Sequence, residues 1–144
     1  MKVVYSLRSD LEKDPARVLE TQALTLNDAR PMLGLKGSRG LFGSAEWWSN
    51  VESGVIDVAY VTGVIKELYV AGQERLDHPN EFELTLDDGG VRSEGILVDD
   101  PGLISEYVPG RRVRIKYAYD ELKCPLPDGR PQYLDFVLEI AIEE

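Results

Sequence analysis

The run from Val55 to Val70 constrains the fold more than any other part of the chain: Ile56, Val58, Tyr60, Thr62 and Val64 share one phase, and Ala59, Val61, Gly63 and Ile65 the other. A period of two without a helical repeat is a strand, and apolar residues in both phases bury its middle on both faces. Gly63, with no Cβ, is read as a bulge or sharp bend within it. A long, doubly covered strand needs partners, so the rest of the chain is read for them.

Phe82, Leu84 and Leu86 alternate with Glu81, Glu83 and Thr85, then comes Asp87-Asp88-Gly89-Gly90, and extended character resumes over Val91 to Val98. Asp-Gly between two such runs predicts a β-hairpin, because its backbone accepts the positive φ of a tight turn. Asp99-Asp100-Pro101 is a helix start, an Asp cap followed by proline, and Leu103, Ile104 and Tyr107 supply its apolar stripe before Pro109-Gly110 ends it. Val113, Ile115, Tyr117 and Tyr119 then alternate with Arg112, Arg114, Lys116 and Ala118. A last strand sets Leu134, Phe136, Leu138, Ile140 and Ile142 against Asp135, Val137 and Glu139. This order of long bent strand, hairpin, short helix, strand and strand over residues 55–144 resembles an OB-fold. The resemblance implies a mainly β, five-stranded antiparallel Greek-key barrel with a helix between its third and fourth strands.

Residues 1–54 read as an extension of strands and a short helix packed on that barrel, in a single domain of residues 1–144. Val3 to Leu7 and Arg17 to Leu26 have strand-like content around a charged turn at Asp10 to Pro15, and 27–43 is irregular. Residues 44–53 form the short helix, capped by Ser44 and stopped at Gly54. Leu41 to Trp48 is similar to segments of bacterial proteins of unknown role.

Twenty-six acidic against sixteen basic side chains give a formal charge of −10, which repels phosphate backbones and favours a basic partner. No apolar run is long enough for a membrane span, and the start of the chain does not read as a signal peptide, so a cytoplasmic protein is expected. One cysteine, Cys124, makes no internal disulfide.

Catalytic chemistry has little to work with. His78 is the one histidine, and no G-x-S-x-G nucleophile, metal-ligand spacing or phosphate-loop motif is present, so neither metal nor cofactor is expected. Asp87-Asp88 and Asp99-Asp100 are accounted for by the hairpin and the helix start. Gly34, Gly37, Gly40 and Gly43 recur every third position around Lys36 and Arg39, and are read as a flexible connection in preference to an anion cradle. Trp47-Trp48 is the most informative dipeptide: on a short helix one ring can enter the core while its neighbour, about 100° away, stays near the surface as an anchor, the competing reading being that both rings glue the N-terminal segment to the barrel. The expected site is therefore Trp47, Trp48, Glu46, Lys36 and Arg39, in a non-enzymatic protein-binding module of inhibitor or immunity type. Two alternatives stand beside it. One is a single-stranded nucleic-acid or small-ligand binder using Arg112, Arg114 and Lys116 with Tyr60, Tyr69, Tyr117 or Tyr119, although ion pairing to Asp135, Glu139 and Glu143 is expected to occupy that basic face. The other is a hydrolase built on two carboxylates.

Overall fold

A computed structural model describes residues 1–72 and 77–144. Strand β1 (Lys2–Ser6) is followed by helices α1 (Leu7–Lys13), α2 (Pro15–Leu26) and α3 (Ala45–Ser53). Then come β2 (Asp57–Tyr69), β3 (Glu81–Leu86), β4 (Val91–Gly95), a 3-10 helix (Pro101–Glu106), β5 (Arg112–Glu121) and β6 (Tyr133–Ile142). The strands form one sheet in the order β1-β6-β5-β2-β3-β4.

The mainly β expectation holds, but the sheet is open and the five-stranded closed barrel is corrected. The five strands after residue 55 keep the neighbour order expected of an OB barrel opened between its third and fifth strands. β1 occupies the edge of β6, running antiparallel from Lys2 opposite Ile142 to Ser6 opposite Glu139. The segment after β4 reaches β1 through hydrogen bonds that include Asp99 N to Val4 O at 2.8 Å and Ser6 N to Asp99 Oδ1 at 3.0 Å. β1 and β4 stay at opposite ends of the strand order, so the edge is tied without being closed.

Contacts group the chain into two compact units, one of Met1–Leu7, Tyr60–Lys116 and Val137–Glu144, the other of Arg8–Ala59 and Tyr117–Phe136. In the first, the hairpin forms as its sequence dictates: Gly89 has φ of 90°, Asp88 Oδ1 accepts from Gly90 N at 2.8 Å, and Leu86 N donates to Gly90 O at 2.8 Å. Strand β4 stops at Gly95, short of the expected Val98. Gly63 is not a bulge. The register shift between β2 and β3 falls between Ile65 and Glu67, and Gly63 instead lets β3 approach, since a Cβ there would lie 2.6 Å from Thr85 O.

The second unit holds the larger correction. Arg17 to Leu26 is the body of α2, not a strand. Asp14 and Pro15, read as part of a turn, are the N-cap and first residue of this helix, and the Asp14 carboxylate accepts from Arg17 N at 3.3 Å. Beyond the helix, Lys123 Nζ donates to Leu24 O at 2.7 Å, Arg30 O at 3.1 Å and Asn27 O at 3.3 Å. A cation is favoured at this end, where carbonyls lack helical partners.

The glycine triplets are a seat and not a flexible connection. All four have positive φ, and a Cβ would lie 2.8 Å from Leu24 Cγ at Gly34, 2.6 Å from Thr25 Cγ2 at Gly37 and 3.2 Å from Val18 Cγ1 at Gly43. Gln22 Nε2 adds a bond to Phe42 O at 2.9 Å. One face of α2 thus rests on backbone. Gly40 does the same for α3, with a Cβ position 2.9 Å from Trp47 N. Helix α3 itself starts and stops as its sequence predicts, with Ser44 Oγ accepting from Trp47 N at 3.2 Å and Gly54 in the left-handed region.

Two alanine substitutions separate backbone strain from the seat. Gly54→Ala puts a Cβ at φ 83° with nothing within 4 Å, and should cost about 1–2 kcal/mol. Gly40→Ala pays a similar strain at φ 95° and also drives a Cβ against the α3 backbone, adding roughly 1–3 kcal/mol. Urea unfolding followed by tryptophan fluorescence measures both, and equal losses would refute the seat.

Candidate functional site

Around α3 the second unit builds a buried polar centre. Trp47 is 0% exposed, between Phe42 (centroids 5.0 Å apart) and Trp48 (4.8 Å), both edge to face. Its indole Nε1 donates to Asp120 Oδ2 at 2.9 Å, and Asp120 Oδ1 accepts from Glu121 N at 3.0 Å. The sequence expectation for β5 needs a correction here: burial follows Val113, Ile115 and Tyr117, then passes to Ala118 and Asp120, leaving Tyr119 half-buried. Asp120 is turned inward to meet the indole.

The site residues divide accordingly. Trp47 lies entirely inside, so its ring joins the core instead of an exposed face. Trp48 is half-buried with the Arg8 guanidinium 4.2 Å over its ring, and Glu46 is exposed on the same helix. Arg39 draws Asp120 electrostatically toward its ionised form, while Asn50 Nδ2 holds the Arg39 carbonyl at 2.9 Å. Among the described residues, Arg39 Nη1 is buried without a hydrogen-bond partner. Lys36 is bonded to Glu121 at both its amide (2.9 Å) and its ammonium (3.0 Å). Trp47 therefore meets Asp120 directly and Arg39 acts on it through charge, Lys36 sits one residue along on Glu121, Trp48 faces Arg8, and Glu46 lies apart from them at the surface, near Gly40. Asp120, the acceptor of the Trp47 indole, was missed; its signal was an acidic residue at the end of the run Tyr117-Ala118-Tyr119.

In the other unit Arg112 pairs with Asp87 of the hairpin turn at 2.8 Å and also feels the charge of Glu143, and Arg111 pairs with Glu106 of the 3-10 helix at 2.8 Å. Arg114 and Lys116 lie over the ring of Tyr60, at 5.2 and 5.8 Å, and Tyr60 is 56% exposed. Tyr117 is fully buried and cannot line a groove. His78 Nδ1 lies 2.9 Å from Asp77 Oδ1, both at the surface. Among the described residues no group of three His, Cys, Asp or Glu side chains is placed to hold a metal.

The profile of the immunity protein RhsI2 family matches residues 1–143, which is the chain but for its last residue. The chain belongs to that family. None of the curated proteins matches it. Membership bears out the reading of an inhibitor or immunity-type binding module, and it makes the partner a protein, the toxin. Among the described residues no helix is long and apolar enough to cross a membrane.

The buried carboxylate gives the immunity fold a pH dependence. Burial holds Asp120 above its ordinary 3.8, against the opposing pull of Trp47, the Glu121 amide and Arg39. With the folded value raised, its contribution to stability is complete below the ordinary value and is lost as pH rises through the folded one. Asp120→Asn keeps an acceptor for the indole and cannot ionise. Urea midpoints should show the wild type losing ground to Asp120→Asn from about pH 4 upward and then levelling; a gap constant with pH would contradict this.

Proposed function

We propose that this immunity protein neutralises its toxin in the cytoplasm without catalysis, as an acidic surface laid over a basic one, with Trp48 and Glu46 of α3 in the contact. The observation carrying the reading is the family match over residues 1–143, and the formal charge of −10 gives the complementarity its sign. Trp48 supports it as an aromatic ring at the surface whose base is braced by Trp47 and Arg8, an arrangement suited to an interface anchor. Lys36 ties the glycine seat to β5 through Glu121, and Arg39 ties it to α3 through Asn50.

Binding to the purified toxin should weaken at least about tenfold between roughly 0.1 M and 1 M salt, as the Debye length falls from about 10 to about 3 Å. Toxin released from the complex should have unchanged mass and full activity. Salt-independent affinity would remove the electrostatic reading, and a permanently altered toxin would make the protein an enzyme. Trp48→Ala should cost about tenfold in affinity or more, with the circular dichroism spectrum retained because Trp47 and Asp120 stay in place; unaltered binding would remove the anchor.

A further inference from the structure

Helix α2 buries no residue, although it is the longest helix of the chain. Its inner side, Val18, Gln22 and Thr25, rests on the glycine seat and is half-buried. Its outer side carries Ala16, Leu19, Ala23 and Leu26, all exposed, Leu19 at 67% and Leu26 at 66%. Steps of three, four and three residues put these four on one line. Exposed Met32 and Leu33 follow the helix, at 55% and 51%. Single exposed leucines are ordinary; a periodic apolar line along a helix of about 18 Å is the pattern by which helices enter grooves.

The charges beside the line select the occupant. Along the whole line, from Asp14 to Leu33, the exposed charged side chains are three carboxylates, Asp14, Glu20 and Asp28, against one cation, Arg30. The other cation in that span, Arg17, is half-buried and 3.4 Å from Asp10. A second copy of this chain would bring two acidic rims together, and an anionic lipid surface would repel the same rim. We infer that the outer face of α2, the line Ala16, Leu19, Ala23 and Leu26 continued by Met32 and Leu33, docks into an apolar groove of the toxin rimmed by Lys or Arg side chains. The inference rests on the proposed function for the basic character of the partner, and adds the surface that meets it.

The test uses the full chain, the purified toxin, and calorimetric titration at two salt concentrations. Leu19→Gln with Leu26→Gln removes the apolar line at constant charge with a residue of good helix propensity. It should weaken binding at least about thirtyfold while leaving the salt dependence as in the wild type. Glu20→Lys with Asp28→Lys should weaken binding about tenfold and flatten the salt dependence. Ala23→Arg, which projects into solvent in the free protein, should reproduce the loss seen with the glutamine pair, and it decides the matter if that pair does not fold. A wild type that binds with strong salt dependence, alongside glutamine and arginine variants within threefold of it, would overturn the docking surface and leave the proposed function standing. A wild type that does not bind the toxin would overturn both. Sedimentation of the free wild type as a dimer that Leu19→Gln with Leu26→Gln splits would assign the line to a second copy and overturn the inference.

Discussion

The second unit is organised by close approach to backbone. At Gly34, Gly37 and Gly43 the side chains of Leu24, Thr25 and Val18 stand where Cβ atoms would be, and at Gly40 the position belongs to the main chain of Trp47. Any other residue would push α2 or α3 outward, and the contacts that depend on their positions would go with them: the Gln22 bond to Phe42, the Lys123 bonds to the end of α2, and the indole bond to Asp120. The spacing of three is what lets one short segment serve two helices. Backbone groups cannot be repacked by changing rotamer, so such a seat specifies position more sharply than a layer of flexible side chains.

The sheet was legible in the sequence because its signals are local. Alternation in β2, β3, β5 and β6, the Asp-Gly turn and the Asp-Pro helix start are each complete within a few residues, and all appear close to their expected bounds, the last as a 3-10 turn. Closure was not legible, because whether the last strand meets β4 or β1 depends on residues far apart in sequence. Helix α2 was missed for another reason. Val18, Thr21 and Thr25 have β-branched, β-favouring side chains, and the decisive information lay in Asp14-Pro15, two residues that suit a turn equally well. The outer line of Ala16, Leu19, Ala23 and Leu26 becomes visible only once the helical period is applied.

The candidate site was half legible. Helix geometry allows Trp47 and Trp48 to divide between interior and surface but equally allows both to be packed; the structure buries Trp47 and leaves Trp48 half-buried. Asp120 could not be singled out, since its importance comes from an indole seventy-three positions away along the chain. The basic residues of β5 illustrate the same limit. Their alternation was plain, but Asp87 and Tyr60, which Arg112 and Arg114 meet, lie far from them in the sequence. Charge sign was readable in the composition; charge pairing was not.

Helix α2 is held by groups indifferent to what its outer side chains are. Lys123 grips carbonyl oxygens, which every residue has, and the glycine seat meets only the inner row. Substitutions on the outer row therefore carry little penalty for folding, and a lineage can vary them one after another while the scaffold stays intact. Such a mounting separates the side chains that can be exchanged from the backbone contacts that hold the helix in place.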